Sequence, residues 1–150
     1  MNVTLLEAAI FQCTNEQRIL NGKKVFIYAN DLNKAATYHS NSMVKYNFFS
    51  HTNNYEKNMK AFYQRTKFFG GSFNGSGENI AYAEFDDSYT YLEVAKDIMD
   101  MWMESAGHRE NVLSSVYVEL GCGIAVKKMP YWNRVYATQD FGGKRNSKIN

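Results

Sequence analysis

Three short segments carry side chains whose types and placement can do chemistry. His51 lies in Asn47-Phe48-Phe49-Ser50-His51-Thr52-Asn53-Asn54, a loop pattern that sets an imidazole beside two large apolar residues. Loops of that kind often line sites. Glu78 follows directly on Gly70-Gly71-Ser72-Phe73-Asn74-Gly75-Ser76-Gly77, which reads as turn material, and precedes Asn79-Ile80-Ala81. A carboxylate so placed suits a functional group, and equally a brace that accepts backbone N–H bonds from the loop. His108 comes just after Gly107, which can supply the φ > 0 of a helix exit. It is either aimed into a cleft or acts as a cation capping the preceding helix. Imidazole and carboxylate serve both as general acids and bases and as metal ligands. The remaining histidine, His39, falls on an apolar helix face with Leu32, Ala35, Ala36 and Met43, and reads as a hydrogen-bonded core residue.

The elements that must hold these residues follow from periodicity. Residues 4–19 alternate as an amphipathic helix, with Leu5, Ala8, Ala9 and Phe11 through Cys13 on one side and Glu7, Glu16 and Arg18 on the other. Asn21-Gly22 stops it. Lys24 to Tyr28 is a short apolar piece that can be extended. Asn30 or Asp31 caps a second helix over 31–46. A third of mixed polarity covers about 55–68, with Met59, Phe62 and Tyr63 inward. Thr90-Tyr91-Leu92-Glu93 is a capping box that starts a central helix ending near Ser105. On it Ile98 and Trp102, and Met99 and Met103, stand four apart and stack on one face. His108 to Leu113 is a turn or short helix. Val116–Lys127 reads as a strand, and Gly121-Cys122-Gly123 within it suggests the close approach of another element. Met129-Pro130 turns the chain into an antiparallel partner strand, Trp132–Phe141, and a polar tail from Gly142 frays. Helices followed by a late antiparallel hairpin predict an α+β fold.

Composition narrows the function classes. The 150 residues suit one domain, 1–150, with 143–150 as its tail, and such a chain needs no disulfide or metal to fold. Seventeen basic against fifteen acidic residues leave +2, which argues against nucleic acid. No apolar run approaches a transmembrane span. Aromatics reach 15%, so Tyr and Phe are expected in the core and at a cleft rim. Cys13 and Cys122 sit in apolar company and read as two free thiols, with a single disulfide as the alternative. The start lacks the basic region and long apolar stretch of a signal peptide, so the protein is either cytosolic or relieved of a leader.

Four segments taken together resemble the CAP superfamily, the domain of cysteine-rich secretory proteins, antigen 5 and pathogenesis-related proteins. They are 36–43, Phe49-Ser50-His51, Gly77-Glu78-Asn79-Ile80-Ala81, and Trp102 through Leu113, in that order. Gly121-Cys122-Gly123 and Tyr136 through Gly142 extend the similarity to nearly the whole chain, and the form without extra cysteines resembles the bacterial branch. The resemblance implies an α-β-α sandwich with a three-stranded antiparallel sheet between helix layers. It also implies an extracellular or surface location, with a leader absent from this chain, and a cleft lined by His51, Glu78 and His108. A second acid of the pattern falls at Ser105. Glutamate stands one residue earlier, as Glu104, and one residue turns a helical side chain by about 100° away from the cleft.

Two imidazoles and a carboxylate can bind a divalent metal, zinc above all and weakly here, with Glu104, Ser105 and Arg109 as secondary candidates. The same groups can act as general acid and base without metal, or form a braced cleft with no chemistry. No serine or cysteine has the company of a nucleophile. The expected function is a non-enzymatic binding module, acting as a monomer on an unidentified ligand. That ligand is a lipid or sterol, or a host or cell-surface protein. A metal-dependent, protease-like hydrolase using the same cleft is the alternative.

Overall fold

The long strands arise where small, β-branched and aromatic residues alternate. In the computed structural model, which describes residues 1–146, β3 spans Glu119–Lys128 and β4 spans Asn133–Arg145, paired antiparallel from Glu119↔Gly142 to Lys128↔Asn133. The expected hairpin is therefore present. A third long strand, β2 (Phe73–Phe85), pairs antiparallel with β4 on the other side. Sequence reading gave the first part of β2 to a glycine turn. Gly75 takes φ +91, which a side chain would oppose, and the ladder continues on both sides of it, at Asn74↔Lys144 and Ser76↔Gly142.

The three antiparallel strands are joined by a fourth, β1 (Ile27–Tyr28), which runs parallel to the start of β3. The sheet is thus four-stranded and mixed, in the order β1-β3-β4-β2, rather than purely antiparallel with three strands. Two residues carry no periodicity, so the direction of β1 had no signature in the sequence.

Helices cover both faces. On one side α1 (Val3–Leu20) and α4 (Tyr91–Glu104) pack on each other and on the sheet. Leu6, Ile10, Val94, Ile98, Met99 and Trp102 meet Leu120, Ile124, Val135 and Phe141 there. Thr90 forms the expected capping box with Glu93. On the other side α2 (Asn30–Tyr46) lies on β3 and β4. It comes so near that a Cβ on Gly123 would collide with the Thr37 backbone. The close approach suggested by the Gly121-Cys122-Gly123 stretch is thus made by α2.

Several expectations need correction. The mixed 55–68 segment is a 3-10 turn (Lys57–Met59) followed by α3 (Phe62–Phe68), and its inward residues are Met59, Arg65 and Thr66. Tyr63 is 62% exposed, because α3 turns its polar edge, Arg65, toward a buried carboxylate. The core is mainly aliphatic around Trp102, while Tyr55, Tyr63, Tyr82 and Tyr131 stay exposed. No frayed tail begins at Gly142. β4 continues to Arg145, whose guanidinium binds Asp31 and Glu119; residues 147–150 lie outside the described segment. Cys13 and Cys122 are free thiols, as read.

Candidate functional site

Strand register builds the centre of the site. Glu78 on β2 stands directly across from Asp140 on β4, both facing α2 and both buried. Arg65 reaches in from α3 with its side chain fully covered. Its Nη2 donates to both Glu78 oxygens, at 3.0 and 2.9 Å, and to the His51 carbonyl, while its Nη1 donates to the carbonyls of Met59 and Lys60. One guanidinium thereby ties the His51 loop, the turn before α3 and the β2 carboxylate together.

His51 completes the pair. Its Nδ1 lies 3.0 Å from Glu78 Oε1, so this nitrogen carries the proton and donates it to the carboxylate. Nε2 is left with its lone pair on a side chain that is 49% exposed. His39 stays behind, wholly buried on α2, donating Nε2–H to the Ser50 carbonyl at 2.7 Å. Burial lowers its pKa to about 4, so it is neutral at physiological pH, the hydrogen-bonded core histidine that was expected.

Two carboxyls side by side in a sheet cannot both ionise. Burial would raise Glu78, but the bonds from His51 and Asp140 and the Arg65 charge overcome that and hold it at about 2. Burial and the neighbouring Glu78 charge push Asp140 well up, so Asp140 keeps its proton and gives it to Glu78. Among the described residues, no donor reaches either buried Asp140 oxygen.

His108 stands on α5 (Ala106–Val112), which packs on β2. Its carbonyl accepts from Asn79 Nδ2, and Asn111 Nδ2 binds Asn79 Oδ1 and, at 3.4 Å, the Glu78 carbonyl. Burial and the nearby His51 both lower its pKa. The helix break that frees His108 is at Ser105, which ends α4 and starts α5 in extended conformation. Gly107 lies inside α5 and has no positive φ, so it is not the helix exit. Glu104 is exposed. Arg109 is exposed and donates to the Met103 carbonyl. Ser105 instead joins His108, Phe49, Ile80, Tyr82, Met101 and Trp102 around an open cavity of about 390 Å³ at the β2 edge. Phe49 and Tyr82 meet edge-to-face there, and Trp102 Nε1 donates to the Ile80 carbonyl.

Arg65 and Asp140 were missed by sequence reading. Arg65 sat in a helix of mixed polarity with no partner in view. Asp140 falls between Gln139 and Phe141 in a strand read as packed against helices, and a carboxylate at so enclosed a position was the available signal.

Residues 11–141 match the sequence pattern of the CAP, cysteine-rich secretory protein, family. The chain belongs to that family. YkwD, an uncharacterised protein of Bacillus subtilis, is 29% identical over 143 residues, covering 95% of this chain and 49% of that protein. YlbC, an uncharacterised membrane protein of the same organism, is 30% identical over 138 residues, covering 92% of this chain and 34% of YlbC. The chain therefore spans about half or less of the curated relatives it matches. An extracellular SCP-domain protein of Bacillus anthracis superposes with a TM-score of 0.74 at 25% identity, over 95% of this chain and 41% of that one. An outer surface protein of Borrelia burgdorferi gives 0.76 at 16% identity, over 97% of each chain, and shares the fold. These CAP-fold neighbours are extracellular or surface proteins by description. No helix among the described residues is long and apolar enough to cross a membrane.

Among the described residues, no three His, Cys, Asp or Glu side chains converge to hold a metal ion. Glu78 does not fit as a ligand, because Arg65 and His51 already engage both of its oxygens. It fits instead as the carboxylate that orients an imidazole from behind. His51 Nε2 and the His108 ring remain the donors that a metal can use.

Proposed function

We propose that this CAP domain is an extracellular or surface binding module, whose cleft takes a ligand with an apolar body and a polar head. The observation that carries this reading is the cavity of Phe49, Ile80, Tyr82, Met101 and Trp102 opening beside His108. Its volume falls within the roughly 300–1,000 Å³ of small-molecule pockets, and its walls are apolar with polar groups at one lip. A fatty acyl chain or a sterol ring fits that chemistry. The head group sits toward His51 and His108. A divalent metal such as zinc can join them there through two imidazoles, which leaves it open to solvent and weakly held.

A second reading has one specific observation in its favour. Glu78 fixes His51 as the Nδ1–H tautomer, with Nε2 free to accept a proton, as a general base requires. No nucleophile or oxyanion donor accompanies it among the groups described above, so binding remains the primary reading.

The test is a titration of dodecanoate and of cholesterol, followed by intrinsic tryptophan fluorescence, on wild type, Tyr82→Asp and His108→Ala. Saturable binding that Tyr82→Asp abolishes supports the module. Binding unaffected by both variants removes the cleft from consideration. Turnover of an ester or peptide panel that is lost in His51→Gln favours the hydrolase.

A further inference from the structure

A second cavity lies at the opposite edge of the sheet from the histidine cleft. It has a volume of about 270 Å³ and is walled by α1, β1, the start of α2 and β3. Phe11 and Tyr28 form its aromatic side, meeting edge-to-face with centroids 5.9 Å apart. Thr4 and Asn33 supply polar atoms, and the buried Cys122 forms part of the floor.

Glu7 is the one charged residue in the wall. Its Oε1 accepts from the Ile124 amide at 3.2 Å, just past the point where β1 stops covering the β3 edge. That bond fixes the side chain and leaves Oε2 without a hydrogen-bond partner among the described residues. No Lys, Arg or His there pairs with Glu7, and burial raises its pKa with no cation offsetting it. A half-buried carboxylate without a counter-charge makes the space before it a favourable place for a positive group. Aromatic faces next to a carboxylate form the recognition chemistry of an ammonium group, through ion pairing and cation–π attraction together.

We propose that this cavity binds a small primary alkyl- or arylammonium ion, with its nitrogen on Glu7 Oε2 and its apolar body against Phe11 and Tyr28. The volume is slightly below the range of drug-sized pockets, so the occupant is one ring or a short chain. The Thr4 hydroxyl and the Asn33 side chain offer acceptors for the remaining ammonium hydrogens. Nothing here depends on the histidine cleft or its ligand.

Two-dimensional 1H–15N NMR tests it, because the Ile124 amide is bonded to Glu7 and reports occupancy directly. Benzylammonium chloride, and benzyl alcohol as the uncharged analogue, are titrated into wild type, Glu7→Gln and Phe11→Leu. Gln keeps an acceptor for the Ile124 amide, so this variant retains the strand contact and loses only the charge. The expected result is a saturable shift of Ile124 and its neighbours with the ammonium and none with the alcohol. Affinity should fall roughly tenfold or more in Glu7→Gln and less in Phe11→Leu. Absence of a saturable shift in wild type, equal response to the alcohol, or undiminished binding by Glu7→Gln would each overturn the proposal. Should Glu7→Gln give the spectrum of an unfolded chain, wild type with the two probes and Phe11→Leu decide alone.

Discussion

Two carboxyls that face each other across one ladder rung should respond oppositely to neutralisation. Glu78 is the ionised member, and its proton affinity is depressed from 4.5 to about 2. A folded pKa below the unfolded one adds stability that is fully present above the unfolded value, here about 4.5. That stability is lost as pH falls toward 2. The shift is worth roughly 3 kcal/mol. Glu78→Gln removes it and leaves the Arg65 guanidinium buried without its anion, for a loss of about 3–5 kcal/mol. At this chain length that corresponds to a melting point lower by roughly 6–20 °C. Asp140→Asn replaces an already neutral carboxyl by an amide that still donates to Glu78. The raised pKa of Asp140 means that wild type loses stability as pH climbs from the unfolded carboxyl value toward the folded one. Asp140→Asn should therefore match wild type near pH 4 and equal or exceed it at pH 8. Urea denaturation of the three proteins at both values is the assay. Equal destabilisation by the two variants, or a loss above about 2 kcal/mol for Asp140→Asn at pH 8, would refute the assignment of the proton to Asp140.

Other expected outcomes are more local. Trp102→Ala empties the largest fully buried side chain and orphans the Ile80 carbonyl, so it should cost about 3–5 kcal/mol by chemical denaturation. An unchanged midpoint would contradict its place in the core. Gly123→Ala should drive α2 away from β3 and lower the melting point by several degrees, whereas Gly107→Ala, which meets nothing, should not. Both thiols should react with iodoacetamide in the denatured, unreduced protein, read as a two-adduct shift in intact mass. Labelling that appears only after reduction would mean a disulfide.

Much of this arrangement was legible in the residues, because apolar spacing is a local property. The capping box at Thr90, the α2 face carrying His39, and the β3–β4 hairpin all emerged from patterns a few residues long. What stayed hidden depends on contacts distant in sequence. β1 is too short for a period. The glycine tract of β2 looked like a turn, since nothing local indicates that β4 lies alongside. The local pattern turns Tyr63 inward, whereas Arg65 takes the buried position beside Glu78. Glu78 itself was singled out by its place after the glycines, with bracing and function left open. Its bonds to Arg65 and His51 now give it the bracing part, and they leave Nε2 of His51 free.

The central claim is that Glu78 holds His51 as the Nδ1–H tautomer, so that His51 Nε2 stays free on a half-exposed side chain while His39 is committed to the Ser50 carbonyl. Long-range 1H–15N NMR of the three imidazoles at pH 7.5, with and without zinc, tests it most directly. The account predicts an Nδ1–H signature for His51 and an Nε2–H signature for His39 in the free protein. Zinc should shift the His51 and His108 nitrogens and leave His39 unmoved. An Nε2–H tautomer at His51, or zinc shifts at His39 with none at His51 and His108, would contradict the account.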